Sequence, residues 1–201
     1  MNRFITLALA GSLLTVTSAH ADHHKDKDFA PYSVNVGFSP FGGSLGFGYN
    51  ANSKTTYQFA LGGFSGEAPF KADVDGTEYT METETTWVGF FVQHRPVDSA
   101  RWFRLVAGLG IGSIETELDD GDGNTYDVHY KENPVGYLGL GFGGEAKKGF
   151  IWGFDLGVLQ TSGPMIAKTG GMGADQSAEI GDNAFFGTVL PNLQVTLGWG
   201  F

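Results

Sequence analysis

Paired carboxylates and histidines are where chemistry would start in this 201-residue chain. Asp73-Val74-Asp75 and Asp127-Val128-His129 both carry an i, i+2 spacing, which on a strand sets the two polar members on one face. A His–Asp pair held that way can activate water as a general base. Both triplets also sit in acidic stretches, where such patterns recur by chance, and solvated loop charge is the plainer reading. His94 and His129 are the histidines able to serve a hydroxyl nucleophile, yet neither has a serine within two residues. Only a serine brought from another strand would complete that pair. The run Asp119-Asp120-Gly121-Asp122-Gly123-Asn124 offers Asp120, Asp122 and Asn124 as oxygen ligands for a hard cation. Counted from Asp120, an EF-hand would need glycine sixth and glutamate twelfth, where Thr125 and Lys131 stand. A loose cation site is the most this run offers, and a glycine-rich acidic turn is the default. Cleavage after Ala21 would leave His24 third from a free amine, a square-planar trap for Cu(II) or Ni(II). There is no cysteine, hence no thiolate nucleophile and no disulfide, and no cofactor is expected.

What could position these groups is set by composition and patterning. With 32 glycines and 17 phenylalanines, the chain is rich in residues that suit turns and tightly curved strands and poor in helix formers. Forty-one per cent apolar content in ordered alternation excludes low-complexity disorder, and a net charge of −10 argues against nucleic acid as a partner. Residues 1–21 read as a signal peptide: Arg3 as the positive start, Phe4 to Val16 as the apolar run, Ala19-His20-Ala21 as the small-x-small cleavage site. No later segment is long and apolar enough for a membrane helix. Residues 22–30 read as a polar, loose leader, and residues 31–201 as the folded body.

Period two dominates that body. Phe103, Leu105, Ala107, Leu109 and Ile111 alternate with Arg104, Val106, Gly108, Gly110 and Gly112. Comparable alternation runs through 32–38, 45–49, 57–61, 134–143, 150–160 and 189–201. Segment 82–94 is apolar on both faces, so its register stays open: Val88, Phe90 and Val92 outward, or Trp87 and Phe91. That makes eight strands. Residues 50–54, 96–100 and 144–149 are short turns, whereas 65–80, 117–132 and 161–185 are long, polar and mostly acidic connections. Short turns on one side and long loops on the other is the layout of an all-β, eight-stranded, antiparallel up-and-down transmembrane barrel with both termini on the turn side.

The two faces choose between a soluble barrel and a membrane one. The large apolar face is nearly unbroken by charge, so lipid is expected against it, since that much apolar surface would aggregate in water. Tyr32, Tyr49, Tyr57, Phe103, Phe142, Phe150, Trp152, Trp199 and Phe201 are expected at the turn-side ends of strands, as an aromatic girdle at headgroup level. The opposite face is glycine together with Asn35, Gln58, Arg104, Asp155, Asn192 and Gln194, the expected lumen. Arg104 and Asp155 are expected to pair there, because an unpaired buried charge is costly. The sharper reading makes them part of a polar track. Inward glycines either leave a cavity or make room for Tyr137 and neighbouring aromatics, and side-chain sizes alone leave both open.

The closing stretch Leu193-Gln194-Val195-Thr196-Leu197-Gly198-Trp199-Gly200-Phe201 resembles the last strand of bacterial outer-membrane barrels, which typically ends in phenylalanine. In layout the whole mature chain is similar to the small eight-stranded OmpA, OmpX and OmpW-like barrels. That resemblance implies residence in the bacterial outer membrane among lipid and lipopolysaccharide, insertion by the barrel-assembly machinery, and a monomer. It also implies a structural or surface-interaction role without enzymatic activity, with a narrow OmpW-like channel or binder for small or apolar solutes as the alternative. Asp73-Val74-Asp75 and Asp127-Val128-His129 resemble the Asp-x-Asp and Asp-x-His pairs of omptin proteases, but omptins are ten-stranded and longer. Lipid A acyl-chain enzymes of this size use a histidine with a serine nearby, which His94 and His129 lack in sequence. Peptide or lipid A hydrolysis is therefore the least favoured class.

Overall fold

The computed structural model describes residues 27–68, 70–130 and 134–201. Residues 1–21, expected as a signal peptide, most of the expected leader and His24 lie outside the described residues. Among those described, the chain forms eleven strands. These are β1 (Tyr32–Ser39), β2 (Gly42–Asn50), β3 (Thr55–Glu67), β4 (Ala72–Val74), β5 (Thr77–His94) and β6 (Phe103–Asp119). They continue as β7 (Thr125–Tyr130), β8 (Val135–Gly143), β9 (Gly149–Gln160), β10 (Pro164–Gly170) and β11 (Val189–Gly200), with one short helix, α1 (Ser177–Asp182).

Eight of the strands close a ring. Antiparallel pairing runs β1–β2–β3–β5–β6–β8–β9–β11 and returns from β11 to β1 through Val34↔Trp199 and Val36↔Leu197. Closure leaves the ring no edge, which an open sheet of this size would expose. The other three strands extend the wall at the loop end. β4 folds back on β5, β7 pairs with the far half of β6, and β10 pairs with β7. β6 leaves β8 at Gly110↔Val135 and takes up β7 at Ile114↔Tyr130.

This corrects the reading of 65–80, 117–132 and 161–185 as polar loops. β5 and β6 run 18 and 17 residues, well beyond the ~9–11 needed to cross a bilayer. The surplus carries Tyr79, Met81 and Leu118, which with Ala72, Val74, Tyr126, Val128 and Tyr130 build a separate buried cluster closed by Ile180, Phe186 and Leu190. Three phenols tie the covering segment down. Tyr126 Oη donates to the Ala174 carbonyl at 3.0 Å, Tyr130 Oη to the Gly187 carbonyl at 3.2 Å, and Tyr79 Oη to Gln176 Oε1.

The two faces of the wall therefore exchange polarity along the barrel. In the turn-side part the outward residues are apolar, with Leu45, Phe59, Leu109 and Leu138 each more than half exposed. Beyond Ser113 the outward residues become carboxylates lined up across strands: Glu67↔Glu82↔Glu117↔Asp127 in one row, with Glu84↔Glu115↔His129 beside it. The inward residues switch the other way, from amides and charges to the cluster just described.

The open register of 82–94 is decided by pairing with β3. Leu61↔Val88 and Phe59↔Phe90 put Val88, Phe90 and Val92 outward and turn Trp87 and Phe91 into the barrel. The leader differs from a loose tail over its last residues. Phe29 bridges Lys147, the Ala30 amide donates to the Ala146 carbonyl at 3.1 Å, and Ala30 is fully buried.

Candidate functional site: the barrel interior

Alternation on the eight ring strands sends one residue in two inward, and those residues surround a cavity of about 150 Å³. Asn35, Gln58, Arg104, Asp155, Asn192 and Gln194, the polar residues expected in the lumen, all line it. Arg104 Nη2 donates to Asp155 Oδ2 at 2.7 Å, both residues being more than nine-tenths buried. Arg104 Nη1 reaches the Gly143 carbonyl at 3.0 Å. Across the barrel the amides form a chain, with Gln93 Nε2 donating to Gln58 Oε1 and Gln58 Nε2 to Asn35 Oδ1 at 3.3 Å. At the loop end, Phe41 offers its carbonyl to Thr85 Oγ1 at 2.9 Å and to Trp87 Nε1 at 3.2 Å.

The inward glycines make room for side chains more than they leave space. Tyr137 lies over Gly139 and Gly157, where an added Cβ would meet its hydroxyl at 2.6 and 2.5 Å. Phe91 covers Gly89 and Gly108, Trp87 covers Gly62 and Gly112, and Arg104 covers Gly141 and Gly153. Phe91 and Tyr137 then meet edge to face, ring centroids 5.7 Å apart. Large side chains laid flat across glycine backbone narrow the lumen, as expected for eight strands. What stays open is a thin chamber in which a few polar and charged groups are set into a largely apolar lining.

Sequence reading missed Arg95, assigned to no strand and no site. It is 4% exposed, lines the same cavity, donates through Nη2 to the Gly144 carbonyl and through Nη1 to Thr56 Oγ1 at 3.4 Å. The signal was present: Phe91, Gln93 and Arg95 continue the inward alternation past His94. Arg95 and Arg104 together draw three successive carbonyls, those of Phe142, Gly143 and Gly144, into the turn-end mouth. Gly143 and Gly144 take φ of +84° and +50° to allow it.

The girdle residues lie on the outer wall, most of them clustered. Tyr32 contacts Tyr49 and Phe201 at centroid distances of 5.8 and 6.2 Å, and Phe103 contacts Phe142 at 5.9 Å. Tyr57 stacks on Phe90 at 6.2 Å, while Phe150, Trp152 and Trp199 stand out from the wall of β9 and β11. Trp102, absent from that expected set, stacks on Phe142 at 6.0 Å.

The catalytic candidates are not assembled. Asp73 lies on β4 and accepts the Gly76 amide at 3.1 Å, and Asp75 sits in the adjoining turn at φ +48°, off the face of Asp73. Asp127 and His129 lie on β7, separated from β4 by β5 and β6, three strand spacings of roughly 4.8 Å each. His129 Nδ1 pairs with Glu115 at 3.3 Å, and His94 Nδ1 meets Thr55 Oγ1 at 3.1 Å on the outer wall. The cation candidate is spent on its own turn. Asp120 accepts Asn124 Nδ2 at 2.6 Å and the amides of Asp122 and Asn124 at 2.9 and 3.0 Å. Asn124 Oδ1 accepts the Gly173 amide at 2.9 Å, and Asp122 stays exposed. Among the described residues no group of three or more His, Cys, Asp or Glu is placed to hold a metal.

With the closed ring and its loop-end extension described, comparison with solved structures decides the architecture. The chain superposes on the crystal structure of Acinetobacter baumannii CarO with a TM-score of 0.64 at 15% identity, over 86% of this chain and 98% of that one. The fold is that of the CarO barrel. CarO2 of the same organism gives 0.67 at 16% identity, over 86% and 99%. No protein-family model and no curated protein sequence matches the chain. At such identities the CarO likeness speaks for fold alone.

Proposed function

We propose that this CarO-like barrel resides in the bacterial outer membrane and admits or binds small solutes through its interior. The exchange of polarity between faces supports the location. Between the turn-side ends of the ring strands and the level of Ile111, the outward positions carry no Asp, Glu, Lys or Arg, while the carboxylate rows begin four residues further along β6, at Glu115. Hydrocarbon against the first zone and water against the second satisfies both, and no single solvent does. Short turns and both ends of the barrel chain then face the periplasm, and the β4–β7–β10 extension faces the outside.

The single observation that carries the solute reading is the chamber itself, an open space with polar and charged groups set in an apolar lining. A barrel serving only as an anchor has no need of an amide chain, an ion pair and a second arginine around internal space, because an apolar filling is at least as stable. The loop-end cluster also gives this surface a defined shape, so surface interaction remains part of the reading. The test is permeation. Purified protein in planar bilayers or proteoliposomes is expected to give small, reproducible conductance or slow uptake, reduced by filling the chamber at Ala60→Phe. Silence in both assays would reduce the protein to an anchor with a surface domain.

A further inference from the structure

Of the two buried arginines around the chamber, one has no ion pair. Arg104 is matched by Asp155. Arg95 is equally buried and has no carboxylate within salt-bridge distance among the described residues, and its Nε has no hydrogen-bond partner. The remaining charges lining the cavity are Glu145 and Lys147, both on the periplasmic turn, half-buried and exposed respectively. Glu145 acts on Arg95 through space without forming an ion pair with it. A cation left over inside a low-dielectric wall is costly unless something supplies negative charge. Here the supply is partial and neutral: the Gly144 carbonyl on Nη2 and Thr56 Oγ1 at 3.4 Å on Nη1, near the limit of a hydrogen bond.

We infer that Arg95 is the seat of a small monovalent carboxylate anion, which takes the place of the Gly144 carbonyl and lets the periplasmic turn move out of the mouth. A charge-assisted bond to guanidinium is roughly twice as strong as a neutral one, so an anionic oxygen outcompetes a peptide carbonyl for the same N–H. The planar fork of arginine matches the two oxygens of a carboxylate better than it matches a spherical halide. The neighbours agree with that ligand. Thr56 Oγ1 stands at the guanidinium, and Asn50, Gln58 and Gln93 line the same cavity. The cavity of about 150 Å³ that Arg95 lines has room for an acetate-sized solute. The external rows of Glu82, Glu84, Glu115 and Glu117 do not oppose this site, since they lie on the far side of the wall and beyond a Debye length of ~8 Å at physiological salt.

This site rests on the small-solute reading, but its test is separate. Acetate titrated as the potassium salt into the folded protein in detergent is expected to give saturable NMR shifts at residues 93–95 and 143–146. Potassium chloride should saturate at several-fold higher concentration. R95Q should weaken acetate at least tenfold. E145Q, on the periplasmic turn, should tighten it several-fold by removing the carboxylate that competes for Arg95. No saturable response, a stronger response to chloride, or an unchanged response in R95Q each overturns the site. Should R95Q fail to fold, E145Q decides, and an unchanged affinity there overturns it. Binding without any conductance would sink the conduit and leave the site standing. Conductance without acetate binding would sink the site alone.

Discussion

Among single residues, Arg104 and Asp155 carry the largest local stake. Each neutralises the other through the Nη2–Oδ2 contact at 2.7 Å, so removing one partner strands a buried charge. Asp155→Asn is expected to cost about 3–5 kcal/mol of folding stability, read by urea unfolding in lipid vesicles through tryptophan fluorescence. A loss below about 1 kcal/mol, the range of an exposed ion pair, would mean that water reaches the pair freely. A second residue acts through pH. Hydrogen bonds from the Asn124 side chain, then from backbone amides, hold the Asp120 carboxyl below its ordinary range. A depressed acid stabilises the folded turn above its unfolded value of about 3.9 and loses that contribution as pH falls through the lower folded value. Amide protection at Asn124, taken relative to the intrinsic exchange rate at each pH, should therefore fall on acidification into that window, and Asp120→Asn should abolish that dependence; constant protection in the wild type refutes it. These residues differ in how openly the sequence displays them. Arg104 and Asp155 are charges inside long runs of glycine and apolar residues, so period two exposes them at once. Arg95 stands beside Pro96 and a turn, and its inward parity shows only when the strand is counted through His94.

The strands behave as two half-elements of opposite polarity, and that explains what the sequence displayed and what it hid. Eight ring strands were legible because Leu105, Leu140, Leu156 and Leu193 fall on one parity and glycine on the other. The loop-end extension alternates just as cleanly, with Leu118, Tyr126, Val128 and Tyr130 against Glu117, Asp119, Asp127 and His129. Its apolar parity is the inward one, however, so averaged over the segment it reads as an acidic loop. Strand length was the overlooked evidence, since both β5 and β6 exceed a membrane span. The glycines of β6 were equally ambiguous, and the fold now separates them. At Gly112 an added Cβ would meet the Trp87 Cα at 2.7 Å and the Thr86 carbonyl closer still, both backbone atoms of the paired strand. At Gly110 the nearest atom is the Val88 carbonyl at 3.2 Å. Gly112→Ala is expected to destabilise by roughly 1–3 kcal/mol as overpacking, and Gly110→Ala by distinctly less. Thermal unfolding of the two variants side by side checks it, and equal losses would show that the β5–β6 spacing relaxes freely.

For the molecule as a whole, the proposed membrane setting puts hydrocarbon against one zone of the outer wall and water against the next, and paired substitutions can map that boundary. Leu109 stands on β6 at 66% exposure, in a row with Phe90, Phe59 and Phe47. Arginine there is expected to cost about 2–4 kcal/mol in lipid, the depth-dependent cost of a charge on a barrel's lipid face. Eight residues on along the same strand and the same outward face, Glu117 sits between Glu82 and Asp127. Like charges directly opposite one another are unfavourable by up to about 1 kcal/mol a pair, so Glu117→Arg should be neutral or stabilising by a fraction of that. The two variants share a strand, a face and a new side chain, and differ only in the solvent assigned to them. Refolding yield into vesicles and urea midpoints should therefore separate them clearly, with the gap shrinking in detergent, where the micelle deforms around a charge. A soluble barrel would predict the reverse order, because Leu109→Arg would then replace an exposed apolar residue by a solvated one. Equal midpoints in lipid would remove the membrane from the account altogether.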